Sequence, residues 1–269
     1  MAKIAWLDDF RLDERQGGAE RSSTQMIYIG QSEYSHVIDI ITSRTRPRPI
    51  ADYDLFVLNN VHTFSQKTFE KLITHNARFV TFMRDYNFCN QRTAMHDCTY
   101  FCRVKEWKEL FARSLHNFFL SPKQLRLYQQ YFTLAPEKVS LVLPPVDGAD
   151  FPFSSDVRKN QVLIFSGPPH KGADIAVERH PDHLLVEDAP YEEVGRLLRE
   201  HSSVAMYPRW VEPCGRLAIE ACLSGCEVLC NNNIGFFSWP IDFKSRQAIV
   251  DKISETTKHF WYTIQACCE

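Results

Sequence analysis

Short runs of β-branched and apolar residues alternate with helical stretches along most of this chain, and that alternation constrains its fold more than any other feature. Residues 3–7, 36–42, 53–58 and 77–82 read as strands, with helices opening near Ser22 and running over 65–74. Strands spaced by helices pair in parallel through right-handed crossovers, so the pattern predicts a doubly wound α/β sheet. The pattern continues with a strand over 117–121, a helix from Pro122 through Tyr131 behind a Ser121 cap, and a strand over 138–143. Residues 148–160, with Pro152, Ser154, Ser155 and several charges, read as a linker and divide the chain into domains 1–150 and 151–269. The second half restarts with strands over 161–167 and 183–187, a helix over 191–201, and strands over 203–208 and 227–230. Residues 245–268 read as two helical stretches, the last carrying Phe260, Trp261 and Ile264.

Composition narrows the function classes. A chain of 269 residues can bury a full core, and 44% hydrophobic with 24% charged residues is ordinary for a soluble globular protein. A net charge of −2 gives no overall field for a polyanion, so nucleic acid is not indicated, although a local basic patch stays open. The N-terminus meets Asp8 and Asp9 too early for a signal peptide, and no apolar run is long enough to span a membrane; a cytoplasmic setting is the expectation. The nine cysteines, Cys89, Cys98, Cys102, Cys214, Cys222, Cys226, Cys230, Cys267 and Cys268, include the series Cys222-x3-Cys226-x3-Cys230. No Cys-x2-Cys pair or histidine spacing accompanies it, so the thiols read as small buried residues and no metal is expected.

The richest segment for chemistry is Arg209-Trp210-Val211-Glu212-Pro213-Cys214-Gly215-Arg216-Leu217-Ala218-Ile219-Glu220-Ala221. A strand precedes it and an apolar helical run follows, which places Glu212 on a loop and Glu220 on the helix behind Gly215. Loop and first turns then face the crevice beyond the strand's carboxyl end, where open α/β sheets bind ligands. Two acids there suit a ligand rich in hydroxyls, because carboxylate oxygens accept from O–H donors.

This register of Glu212, Gly215, Glu220, Ala221, Gly225 and Val228 resembles the Glu-x7-Glu motif of the retaining GT-B glycosyltransferases, the large family 4-like group that includes sucrose synthases and bacterial lipopolysaccharide transferases. Pro144-Pro145-Val146-Asp147 resembles the Pro-Asn-Gly-Val-Asp that closes the family's first domain. The resemblance implies a GT-B fold, two Rossmann-like domains facing a cleft, with the last helix (about 252–268) returning to the first domain. It implies transfer of a hexosyl or pentosyl group from a UDP-, GDP- or ADP-sugar to a hydroxyl acceptor, with retention, without a metal and with no cofactor beyond the donor. A glycan, a lipid-linked sugar or a small molecule could be that acceptor.

Residue roles follow from the same resemblance. Glu212 would sit by the transferred sugar and Glu220 by the ribose hydroxyls. The N–H groups of Cys214, Gly215 and Arg216 at the helix start would hold the diphosphate. Lys171 in Lys171-Gly172 matches the family lysine that offsets charge on the leaving diphosphate. The family's arginine before that lysine is missing here: Pro168, Pro169 and His170 fill the interval. Arg209 or Arg216 substitutes for it, His170 contributes, or leaving-group stabilisation is impaired. Gly17-Gly18-Ala19-Glu20-Arg21 matches a family loop whose glycines let donor and acceptor approach the backbone. Arg84, Asp85 and Tyr86 follow a strand on the acceptor side, and His62 follows another; Asp85 or His62 is placed to take the acceptor's proton. The run Tyr86, Phe88, Tyr100, Phe101 and Trp107, interleaved with Arg92, Arg103, Lys105 and Lys108, reads as half core and half solvated face. Three alternatives stay open: a viral-type DNA base glycosyltransferase, an epimerase or hydrolase of the same fold, and a catalytically silent nucleotide-sugar-binding protein.

Overall fold

The computed structural model describes residues 1–45, 48–89, 103–153 and 158–269. Arg92, Cys98, Tyr100, Phe101, Cys102, Ser154 and Ser155 lie outside the described residues. The chain divides into two compact units: Met1–Pro145 together with Glu255–Glu269, and Val146–Ser254.

The first unit holds a parallel sheet of six strands, β1 (Lys3–Asp8), β2 (Val37–Ile41), β3 (Leu55–Asn60), β4 (Phe79–Met83), β5 (Asn117–Phe119) and β6 (Val139–Leu141), in the order β2-β1-β3-β4-β5-β6. Helices α1 (Gly18–Ser32), α2 (Gln66–Thr74), α3 (Val104–Arg113) and α4 (Pro122–Gln129) link these strands. Strand order reverses direction between β1 and β3, so the ligand crevice of such a sheet opens beyond the carboxyl ends of those two strands. The pattern of the sequence explains each element: β1, β3 and β4 are buried along their whole length except at Lys3, as continuous apolar strands of a covered parallel sheet are. Ser121 caps α4, its Oγ accepting the Gln124 N–H at 3.1 Å, while the Gln124 amide oxygen accepts the Leu120 N–H at 2.7 Å. Helix α3 buries Trp107, Leu110 and Phe111 and leaves Lys105 and Lys108 exposed.

The second unit repeats the design with four parallel strands, β7 (Val162–Phe165), β8 (His183–Val186), β9 (Ser203–Met206) and β10 (Glu227–Cys230), ordered β10-β9-β7-β8. Its helices are α5 (Ala173–Arg179), α6 (Tyr191–Glu200) and α7 (Arg216–Ser224). Here the direction reverses between β7 and β9. Ile164, Ala176, Ala205 and Tyr207 form a buried cluster between α5 and the sheet. Gly225, at φ +74°, ends α7 with the Cys226 N–H donating to Ala221 O at 2.8 Å and the Gly225 N–H to Cys222 O at 3.0 Å. A left-handed glycine closing two carbonyls in this way ends a helix sharply and sends the chain into β10.

Two expectations need correction. Residues 245–268 form one helix, α8 (Arg246–Cys268), rather than two. Its apolar face is continuous: Ile249, Ile253, Phe260, Trp261 and Ile264 are all buried, and no glycine or proline interrupts it. The portion from Glu255 onward belongs to the first unit, where Phe260 lies 4.5 Å from Phe118 and 5.1 Å from Phe82, centroid to centroid, and Trp261 covers Gly30 so closely that any side chain at that position would collide with it. Helix α5 was not legible as a helix, because its seven residues carry too little apolar periodicity to read. The structural division at Pro145/Val146 precedes the linker read from composition.

Among the described residues no helix is long and apolar enough to cross a membrane, and no group of three His, Cys, Asp or Glu is placed to hold a metal ion. Cys222, Cys226, Cys267 and Cys268 carry free thiols, and burial pushes those of Cys222 and Cys226 up to about 12. Those two sulfurs stay protonated and pack as small apolar groups.

Candidate functional site

In the second unit the residues after β7 and β9 converge. A short turn over Pro169–Lys171 follows β7, and Gly172 then takes φ +69°. A Cβ at Gly172 would collide with the Tyr207 carbonyl oxygen, so glycine is required where the β7 loop crosses the β9 loop. That crossing places Lys171 Nζ between both carboxylate oxygens of Glu212, at 2.7 and 2.8 Å. Glu212 is held from its own backbone: its N–H donates to Asn233 O at 2.8 Å, and its carbonyl accepts the Gly235 N–H at 3.0 Å. Gly215 at φ +86° turns the loop into α7, and a Cβ there would stand 2.7 Å from Ile234 Cγ2. Helix α7 opens at Arg216 behind this turn, and the Ala218 N–H donates to Gly215 O at 2.9 Å. Cys214 is buried, with its carbonyl accepting the Phe236 N–H at 2.7 Å.

Glu220 is buried one turn into α7 and is engaged from two sides. Arg216 Nε donates to its Oε1 at 2.6 Å and the Tyr191 hydroxyl donates to the same oxygen at 3.2 Å, while Arg216 Nη2 donates to the Tyr191 hydroxyl at 2.8 Å. Burial works against the Arg216 charge, yet Glu220 and Tyr191 together raise its pKa, and burial with Glu220 pushes the Tyr191 phenol up to about 12. Tyr191 and Asp174 take part in this site without having been singled out by the sequence; nothing in their spacing marks them.

The substitutes expected for the absent arginine are otherwise employed. Arg209 pairs with Asp174 and donates through Nε to Pro169 O at 3.1 Å, and Arg216 pairs with Glu220. His170 stacks on Trp210, with centroids 4.2 Å apart and planes 11° apart, and burial followed by the Lys171 charge lowers its pKa. It is therefore neutral near pH 7 and supplies no cation.

The first unit assembles its own crevice end. Asp8 closes β1 and accepts from Ser23 Oγ at 2.7 Å and Asn59 Nδ2 at 2.6 Å, both on Oδ2. Arg84 Nε donates to Asn59 Oδ1 at 2.8 Å, and its guanidinium lies 4.5 Å over the Phe82 ring. Asp9 accepts the Thr63 N–H at 2.7 Å and the Thr63 hydroxyl at 2.9 Å, which anchors the loop carrying His62; Arg103 Nη1 donates to His62 O at 3.3 Å. Gly17 precedes α1 and Gly18 opens it, and the Glu20 carboxylate folds back over Gly17 where a side chain would meet it. Asp85 is half-buried, its Oδ1 accepting the Tyr86 N–H at 2.8 Å and its carbonyl accepting the Tyr128 hydroxyl at 2.6 Å. Tyr86 falls on the core side of its aromatic run: it is fully buried, stacked on Tyr128 with centroids 5.9 Å apart. The Asp8–Ser23–Asn59 cluster escaped the sequence reading, although Asp8 ends the first strand at the crevice side, a position that could have flagged it.

No family model matches this sequence, and no curated protein matches it in sequence. Solved structures share its fold. Sucrose-phosphate synthase from Thermosynechococcus elongatus superposes with a TM-score of 0.66 at 13% identity, over 100% of this chain and 95% of that one. HepE from Anabaena, in complex with UDP and glucose, gives 0.60 at 14% identity over 97% and 95%. WaaG, a glycosyltransferase involved in lipopolysaccharide biosynthesis, gives 0.55 at 12% identity over 98% of each chain. With two parallel sheets of six and four strands, each reversing direction beside its first strand, the chain has the GT-B fold of these glycosyltransferases.

Proposed function

We propose that this protein is a glycosyltransferase that moves a sugar from a nucleotide diphosphate sugar to an acceptor hydroxyl with retention at the anomeric carbon. The observation that carries the reading is the meeting of Lys171 and Glu212. The two come from different strands, the motif register assigned them to diphosphate and sugar, and they lie 2.7 Å apart beside the start of α7. A UDP complex of a protein with the same fold supports a nucleotide sugar as the donor. In this reading the diphosphate lies against the α7 N-terminus and Lys171, whose fixed cation offsets the charge that grows on the leaving group. The bond from the anomeric carbon to the diphosphate oxygen breaks, the acceptor oxygen bonds that carbon on the same face, and the acceptor proton passes to the departing phosphate. Glu212 then turns from Lys171 to the sugar hydroxyls, and Glu220 offers its remaining oxygen to the ribose. In the first unit, Gly17 and Gly18 leave the backbone open to a ligand, and Arg84, Asp85 and His62 belong to the acceptor side. No metal or cofactor enters this scheme, and the setting we infer is the cytoplasm.

A second reading has its own support. Lys171, Arg209 and Arg216 are each paired with an acid, and a protein that binds nucleotide sugar without turning it over fits a crevice whose cations are so engaged. Incubation with UDP-, GDP- and ADP-glucose separates the two. Release of nucleoside diphosphate that rises when sugar acceptors are added supports transfer; binding without release supports the silent protein; release independent of acceptor supports a hydrolase.

A further inference from the structure

The crevice end of the first unit carries a hydrogen-bonded chain that ends on Arg84 and whose other members the proposed reaction does not use. Asp8, Ser23, Asn59 and Arg84 are all buried, and their contacts run from α1 across β1 and β3 to the end of β4. A carboxylate and a guanidinium withdrawn from water need partners, and here a neutral amide stands between them. Asn59 has one donor end and one acceptor end. Its Nδ2 faces Asp8 Oδ2 at 2.6 Å and Ser23 Oγ at 2.8 Å, and its Oδ1 faces Arg84 Nε at 2.8 Å. The orientation of the amide is therefore fixed from both sides, and reversing it would point N–H groups at a guanidinium that only donates.

We propose that Asp8 is a positioning residue for Arg84: the ionised carboxylate holds the Asn59 amide with its oxygen toward the guanidinium, and gain of a proton by Asp8 loosens that hold. Ionised Asp8 accepts three hydrogen bonds, from Ser23, Asn59 and the Asp9 N–H at 3.0 Å. A proton on Oδ2 replaces one acceptor lone pair with a donor. Ser23 can accept that proton by rotating its hydroxyl, and the Asn59 N–H is then left with an uncharged, weaker acceptor, which loosens the hold on the amide. The charged groups facing Asp8 are Glu20 from α1 and Arg84 from the end of β4, and they act in opposite directions. Burial is the largest influence and pushes the Asp8 carboxyl up to about 7, so both forms are populated near neutrality. The proposal rests on the acceptor-side reading of Arg84 for its functional meaning, but its physical content does not.

The test is a pH titration of the Arg84 Nε–H resonance in the nitrogen-15-labelled full chain, with no substrate present. The wild type is expected to show a shift with its midpoint near pH 7, and Asp8→Asn is expected to abolish it. Ser23→Ala removes a donor that favours the ionised form and should move the midpoint upward by about half a unit or more. A resonance that does not titrate in the wild type, that still titrates in Asp8→Asn, or whose midpoint ignores Ser23→Ala overturns the proposal. Where transfer is measurable, Asp8→Asn should also remove the inflection near neutrality from the pH profile of acceptor kcat/KM while leaving donor Kd within about twofold, a split that simple loss of structure does not give. Absence of transfer by the wild type would count against the glycosyltransferase reading alone, since the resonance decides the Asp8 linkage independently.

Discussion

The two units reverse strand direction at equivalent places, yet they furnish those places differently. Beyond β1 and β3 the groups are buried and linked through a neutral amide, Asp8 to Asn59 to Arg84. Beyond β7 and β9 they are ion pairs reaching solvent, with the Lys171 side chain 46% exposed and Arg209 45% exposed. A buried network keeps one geometry, because any unpaired member carries its full desolvation cost. An exposed ion pair is held weakly and exchanges partners readily. The first arrangement suits a wall that must be positioned before a ligand arrives; the second suits a lysine that must leave a carboxylate for a diphosphate. The second unit also holds an internal control: Arg216 and Glu220 form the same kind of charge pair with side chains only 11% and 5% exposed.

The sharpest break of this comparison is Arg216→Ala. It leaves Glu220 buried without its cation and should cost about 3–5 kcal/mol in urea unfolding; a loss below about 1 kcal/mol would place that pair with the exposed ones. Next is Asp8→Asn. The folded carboxyl of Asp8 sits at about 7 against an ordinary 3.8, so the unfolded chain gives up that proton first. Its contribution to wild-type stability therefore falls as pH rises through the acid range to about 7 and is flat above it. Asp8→Asn removes that fall, and its stability relative to wild type should grow by about 3 kcal/mol between about pH 5 and about pH 8. Unfolding curves whose difference is the same at both pH values would deny the burial of a titrating acid. Gly172→Ala, forced toward φ +69° against the Tyr207 carbonyl, should cost about 1–3 kcal/mol and separate Lys171 from Glu212. The smallest stability effect belongs to Lys171→Ala, expected within about 1–2 kcal/mol of wild type because the lysine is 46% exposed, although Glu212 is only 12% exposed.

Much of this architecture was legible in residue order. The strands read at 53–58 and 77–82 announce themselves as mostly apolar runs, and Gly225 marks the end of α7 through a conformation that favours glycine. Lys171 and Glu212 were each legible as candidate site residues because each follows a strand in a recognisable register, but their pairing was not. What sequence could not supply was the partner of each charge. The i,i+4 spacing of Arg216 and Glu220 permits their pairing along α7, but nothing in the spacing brings Tyr191 to that pair or gives Arg209 to Asp174, since those choices are made by rotamers once the loops are in place. Tyr86 is a related case: it follows a strand on the crevice side, but the neighbouring Tyr128 and Phe88 offer an aromatic core that its ring enters. Asn59 was hidden inside β3, where an asparagine reads as an unfavourable strand residue until Asp8 and Arg84 are seen on its two ends.

The central claim is that the Lys171–Glu212 pair is the ligand-free form of a donor site. Calorimetric titration with UDP-, GDP- and ADP-sugars tests it directly, using wild type, Lys171→Ala and Glu220→Ala. The account predicts that wild type binds one of these donors and that Lys171→Ala weakens that binding at least about tenfold, a loss of about 1.4 kcal/mol, while unfolding at the same denaturant concentration. Failure of wild type to bind any of the three, or equal binding by wild type and both variants, would contradict it.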